Sequence, residues 1–182
     1  MKVEASLLPE VLLLHPRIFE DPRGYFFETW QRDRYRDAGV PANFVQDNES
    51  ASVRHTLRGL HYQLASPQGK LVRVIEGEVF DVAVDIRRSS ARFGRWSGVT
   101  LSGTNRTQLW VPPGFAHGFL VLSERAVVAY KCTAYYAPAD EKILLWNDPG
   151  LAIDWPLAAG VQPILSPRDA AGATLATADI FP

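Results

Sequence analysis

The chain has 182 residues, 47% of them hydrophobic and 21% charged, a composition that suits one globular domain with a sizeable core. Its 19 basic and 20 acidic side chains leave a formal net charge of −1, so no global field draws it to nucleic acid or to an anionic membrane. The single cysteine, Cys132, excludes an intrachain disulfide. The opening MKVEASLLPEV carries an acid and a proline where a signal peptide needs an unbroken apolar run. No apolar stretch reaches the roughly 18 residues of a membrane helix, so the expected protein is soluble and cytoplasmic, with one domain over 1–182.

Strand signals dominate the chain. Residues 11–19, 44–49, 52–63, 71–76, 78–86, 96–102, 108–112, 117–122 and 126–136 are β-branched or aromatic and mostly short. Turn clusters separate them: SPQG at 66–69, EGE at 76–78, SGTN at 102–105 and PPG at 112–114. Phe80, Val82, Val84 and Ile86 alternate with Asp81, Ala83 and Asp85. One helix is expected near 29–38, with Thr29 as N-cap and Gly39 as its stop, and another turn or two in the C-terminal tail. Many short strands without βα alternation predict an all-β fold, a cupin-like antiparallel jelly-roll barrel with short peripheral helices.

Two runs, RGLHYQ at 58–63 and GFAHGF at 114–119, each set a histidine in a β-prone segment beside glycines that allow close backbone approach. A lone histidine in such a stretch is ordinarily a satisfied core residue, so any functional reading rests on its neighbours. Strand parity places Tyr130, Cys132, Ala134 and Tyr136 on one face, and Gln46 with Asn48 on another. Arg58 and His61 differ in parity. Either one points elsewhere, or Gly59 carries a bulge that re-aims the strand.

Two histidines in a β-barrel raise the question of a metal. PPGFAH at 112–117 fits the core of the second cupin motif. The first motif would offer His-x-His and then a carboxylate, whereas Gln63 follows His61 at that spacing and position 67 is proline. Val121 stands where the second motif ends in asparagine. Two imidazoles fall short of the three or four protein ligands that a divalent ion generally needs. The barrel resembles a cupin without its metal site.

Several longer motifs then match one family in order: FEDPRGYFFE at 19–28, FVQDNES at 44–50, LRGLHYQ at 57–63 and QGKLVRVIEGEVFDVAVDIR at 68–87. VPPGFAHGF at 111–119, YKCTAYYAP at 130–138 and LLWNDP at 144–149 continue the match. The chain resembles the dTDP-4-dehydrorhamnose 3,5-epimerases over essentially its whole length. The resemblance implies a metal-free, cofactor-free homodimer that epimerises dTDP-4-dehydro-6-deoxy-D-glucose at C3 and C5.

Carried onto this sequence, the resemblance makes His61 the general base, Asp169 its carboxylate partner, Tyr130 the proton donor and Lys70 the cation beside the C4 oxygen. Arg23, Arg58 and Arg168 become the diphosphate ligands, and Tyr136 the ring that stacks on thymine. Phe19, Glu28, Gln46, Asn48, His117 and Glu141 fill further binding positions, with Phe19 and Arg23 expected to reach a partner subunit. Arg168 stands where relatives often carry lysine. Plainer readings sit beside these: Lys70 as a solvated strand-edge lysine, Tyr130 as a core aromatic, Asp169 as turn chemistry in SPRD. Asp81 and Asp85 are reserve candidates for the carboxylate. A single C3- or C5-epimerase, a silent sugar-nucleotide-binding protein and a metal-dependent cupin are the competing functions.

Overall fold

Short β-branched runs broken by Gly, Pro and Asn turns favour antiparallel sheets. The computed structural model describes residues 1–40 and 43–182. Its strands are β1 (Lys2–Ala5), β2 (Leu12–His15), β3 (Phe19–Asp21), β4 (Gly24–Phe26), β5 (Gln46–Val53), β6 (Leu57–Gln63) and β7 (Lys70–Glu76). They continue as β8 (Glu78–Asp85), β9 (Trp96–Ser102), β10 (Gln108–Val111), β11 (Phe115–Val121), β12 (Arg125–Cys132) and β13 (Glu141–Ile143). The helices are α1 (Arg32–Asp37) and α2 (Pro167–Ala170). One sheet runs β1-β2-β10-β7-β12-β5 and the other β13-β6-β11-β8-β9, while β3 and β4 form a separate hairpin. This is the expected cupin-like jelly roll.

Three apolar layers hold the sheets. Between them, Val72, Val74, Leu109, Val111 and Val128 of the first meet Val79, Ala83, Leu101, Phe115, Phe119 and Val121 of the second. The outer face of the second sheet carries Leu57, Leu60, Tyr62, Val82, Val84, Ile86 and Leu120, covered by Leu144, Leu151, Trp155 and Ala178 from the C-terminal segment. The outer face of the first is capped at Leu14, Leu71 and Trp110 by Tyr35 and Val40. Both faces of β8 are therefore buried, which its sequence alternation alone does not show.

Several expected boundaries move. The strand expected over 11–19 ends at His15, because Pro16 has no N–H to offer the ladder. A turn at Arg54 and His55 separates β5 from β6, so the break between 49 and 52 does not occur. α1 is shorter than 29–38, and its N-cap is Gln31, whose side chain accepts from the Arg34 N–H, rather than Thr29. The Thr29 carbonyl is taken instead by the Tyr35 hydroxyl at 2.9 Å and by Gln108 Nε2 at 2.9 Å. β12 ends at Cys132 rather than continuing to 136, because Thr133 turns to bond Gly69 on both its N–H and its hydroxyl. β1, β4 and β13 lie in stretches read as neither strand nor turn.

Candidate active site

The parity conflict between Arg58 and His61 resolves as a bulge. His61 pairs with His117 and Arg58 with Phe119, so Gly59 and Leu60 together oppose Gly118. Leu57, Leu60 and Tyr62 consequently all point into the outer apolar layer, leaving Arg58 and His61 on the inner face. Glycine is required here: Gly59 has φ +109°, and a Cβ on it would lie 2.6 Å from the His117 carbonyl oxygen.

The free edge of β6 is filled in three pieces. β13 pairs with its second half, and Ile164 accepts from the Leu57 N–H. Between them the Asp169 carboxylate takes the Gly59 N–H at 3.4 Å and His61 Nε2 at 2.6 Å. Ser166 caps α2 by accepting from the Asp169 N–H, and its hydroxyl donates to Asp169 Oδ2 at 2.8 Å. Burial pushes the Asp169 carboxyl upward, but the bonds from His61, Ser166 and Gly59 outweigh it and hold it below the usual range. A carboxylate only accepts, so the proton between them sits on Nε2, and in the neutral ring the lone pair is on Nδ1.

Asp81, the first reserve candidate, serves the other histidine. It is fully buried, and its Oδ1 lies 2.7 Å from His117 Nε2. Asp85, the second, is held by Arg87 at 2.7 Å and Ser90 at 2.6 Å and faces neither histidine. The partner of His61 is thus Asp169, as the resemblance implied.

Lys70 begins β7, is buried, and has no ion-pair partner among the described residues. Burial lowers its pKa, with Cys132, Glu141 and Asp81 acting in the opposite direction. Tyr130 is half-buried on the inner face of β12, and burial raises its pKa, so the phenol stays protonated at neutral pH. Opposite Tyr130 in register stands Asn48, which accepts from Gln46 Nε2 at 2.9 Å. Arg58 Nε donates to Ser52 at 3.0 Å.

Tyr136 reaches the pocket from a loop rather than from β12. Its N–H donates to Gln46 Oε1 at 2.8 Å, and its hydroxyl donates to Glu141 at 3.2 Å. Arg168 pairs with the same Glu141 at 2.5 Å. Two loops, 64–69 and 133–140, are bolted together beneath this group. Asp140 accepts from the Leu64, Ala65 and Ser66 N–H groups, and Gln63 bonds Ser66, Tyr135 and Ala137.

Phe19, Arg23 and Glu28 are not brought to the pocket. Phe19 and Arg23 lie on the exposed β3–β4 hairpin, where Arg23 pairs with Asp21, and Glu28 pairs with Arg34 at 3.1 Å. The hairpin rests on Arg106, whose guanidinium lies 3.9 Å from the Tyr25 ring centre. Sequence reasoning missed Ser166, Ser52 and Asp140. For Ser166 the signal was present, since Ser-x-x-Asp before a short helix is a capping box.

Among the described residues, no group of three His, Cys, Asp or Glu side chains could hold a metal ion. The arrangement suits proton transfer: an oriented imidazole on β6, a protonated phenol on β12 and a buried lysine on β7, all on the facing inner sides of the two sheets. A cavity of about 190 Å³ lined by Asp47, Asn48, Arg73, Gln108, Tyr130 and Lys131, among others, includes neither His61 nor Lys70.

The family model for dTDP-4-dehydrorhamnose 3,5-epimerase matches residues 5–177. The chain belongs to the dTDP-4-dehydrorhamnose 3,5-epimerase family. It is 53% identical over 183 aligned positions to the dTDP-4-dehydrorhamnose 3,5-epimerase of Pseudomonas aeruginosa, covering 100% of both chains. A crystal structure from Legionella pneumophila, a dTDP-6-deoxy-D-glucose-3,5-epimerase in complex with dTDP-4-keto-L-rhamnose, superposes with a TM-score of 0.94. That relative is 52% identical, with 98% of this chain and 94% of the other covered. A 3'-monoepimerase from Streptomyces bikiniensis in complex with dTDP-quinovose gives a TM-score of 0.87 at 34% identity, covering 96% and 88%. Members of this epimerase family are isomerases, which agrees with the absence of any need for net redox chemistry in moving one proton off a carbon and another onto it.

Proposed function

We propose that the chain inverts C3 and C5 of dTDP-4-dehydro-6-deoxy-D-glucose, yielding dTDP-4-dehydro-L-rhamnose. The observation that carries this reading is the His61–Asp169 pair at 2.6 Å, on an inner sheet face opposite the one that carries Lys70 and Tyr130. C3 and C5 both flank the C4 ketone, which acidifies their C–H bonds. His61 Nδ1 takes the proton from one face, and Asp169 stabilises the imidazolium that forms. The electron pair moves onto O4 as an enolate, where the Lys70 ammonium meets the new charge. Tyr130 gives its hydroxyl proton to the opposite face of the carbon. Exchange with solvent then returns a proton to the phenolate and removes one from the imidazolium, so the cycle closes without a cofactor.

Arg58 and Arg168 suit the diphosphate, since a guanidinium fork matches phosphate oxygens, and Tyr136 offers a partly exposed ring for thymine. Gln46, Asn48, His117 and Glu141 are the further binding residues of this reading. Phe19, Arg23 and Glu28 stand apart from them, which supports a homodimer whose hairpin completes the partner's site. A charged sugar nucleotide does not cross a bilayer unaided, so such an enzyme works in the cytoplasm.

The deciding experiment is incubation with dTDP-4-dehydro-6-deoxyglucose in heavy water, followed by NMR at both carbons. Deuterium with inversion at C3 and C5 is expected. Likeness to the monoepimerase favours one second reading, a single epimerase, and deuterium at one carbon alone would establish it. No exchange at either carbon would overturn both.

A further inference from the structure

The inner face of β5 presents a polar stripe, Gln46, Asn48, Ser50 and Ser52, to the inter-sheet space. Three of the four are engaged by protein. Gln46 accepts from the Tyr136 N–H and donates to Asn48, Asn48 Nδ2 lies 3.5 Å from Cys132 Sγ, and Ser52 accepts from Arg58. Ser50 is different. Its Oγ is buried and has no hydrogen-bond partner among the described residues, although the residue as a whole is only half-buried. Its neighbours in register are apolar: Val128 on β12, which in turn pairs with Val74 on β7. A buried hydroxyl in such a row has lost its water without gaining a partner, and the fold does not need it there.

We propose that Ser50 is a substrate-binding residue whose hydroxyl takes an acceptor oxygen where the hexose joins the diphosphate. This rests on the function proposed above. Strand geometry sets the position: successive inner residues on β5 are roughly 6.6 Å apart. Ser50 therefore lies one such step from Asn48, opposite Tyr130, and one step from Ser52, where Arg58 is held. Between the residue proposed to protonate the sugar and the arginine proposed to hold phosphate, the ligand's anomeric oxygen and 2-hydroxyl must pass. A rotation about χ1, a move between staggered wells, turns the Ser50 hydroxyl from its unpartnered position toward that junction.

The test measures binding of dTDP and of dTDP-glucose by calorimetry, and thermal melting, for the wild type, Ser50→Ala and Ser50→Thr. Ser50→Ala should lose about threefold to tenfold in affinity, the range for one net hydrogen bond, while its Tm stays equal or rises because no internal bond is removed. Ser50→Thr keeps the hydroxyl and should recover affinity. Loss toward both ligands assigns the acceptor to the phosphate, and loss toward dTDP-glucose alone assigns it to the hexose. Affinity within about threefold of wild type for both ligands would overturn the proposal, as would a lowered Tm with binding intact, which marks a structural hydroxyl. If the wild type bound neither ligand, Ser50 and the proposed function would fall together; wild-type binding with an indifferent Ser50→Ala removes Ser50 alone.

Discussion

His61 and Asp169 are 108 residues apart in the chain and 2.6 Å apart in the fold. If Asp169 orients the base, Asp169→Asn should lower kcat by roughly 10²- to 10⁴-fold, the range for loss of a positioned acid–base group, with dTDP binding largely kept. The same carboxylate titrates below its ordinary value in the folded chain. Its contribution to stability is therefore present above the unfolded carboxylate pKa and lost as pH falls through the lower folded value. The Tm gap between wild type and Asp169→Asn should accordingly be widest near neutrality and close in strong acid. Lys70 shifts the opposite way to a paired lysine: burial lowers its pKa, so the ammonium is lost earlier on the alkaline side than for an exposed lysine. Lys70→Arg, whose guanidinium keeps its proton, should extend the alkaline limb of kcat/KM upward while reducing kcat through altered geometry. An alkaline limb unmoved by Lys70→Arg would mean that another group sets it.

At the scale of the element, the bulge in β6 decides whether Arg58 and His61 can share a pocket. Gly59→Ala would put a Cβ 2.6 Å from the His117 carbonyl at φ +109°, and such backbone strain costs about 1–3 kcal/mol. We expect a lower Tm and a fall in kcat beyond what unfolding explains, because relaxing the bulge turns His61 toward the outer layer. A fully active, equally stable Gly59→Ala would show that the bulge does not need glycine. The strands at 71–76, 78–86 and 96–102 were legible almost to the residue, since local alternation and turn residues mark them. The end of β12 was not. Ala134 and Tyr136 continue its apolar pattern, yet Thr133 finds better partners in Gly69, and the loop carries Tyr136 to Gln46 by another route.

Over the whole molecule, the C-terminal segment does two things at once. It covers the outer face of the second sheet with Leu144, Leu151, Trp155 and Ala178, and it delivers Asp169 to the edge of β6. The β3–β4 hairpin does neither, and it leaves Phe19 at 50%, Tyr25 at 56% and Phe26 at 70% exposure. Exposed aromatics on a projecting hairpin mark an interaction surface. In the proposed homodimer, Phe26→Ser should weaken self-association in sedimentation, whereas Arg23→Ala should leave the dimer intact and cost about tenfold or more in dTDP affinity, as for a charged hydrogen bond. Unchanged dTDP affinity in Arg23→Ala would remove the hairpin from the binding site.

Strand periodicity, turn residues and the ordered motifs around His61, Lys70, His117 and Tyr130 were enough to indicate the fold class and the family, because these signals are local and survive reading along a line. The partners were not local. That Asp169 rather than Asp81 meets His61, that Asp81 instead serves His117, and that Arg58 turns inward all depend on how two sheets and a long C-terminal segment stack. Contacts between residues a hundred positions apart are set by packing, and only the tertiary structure carries that information.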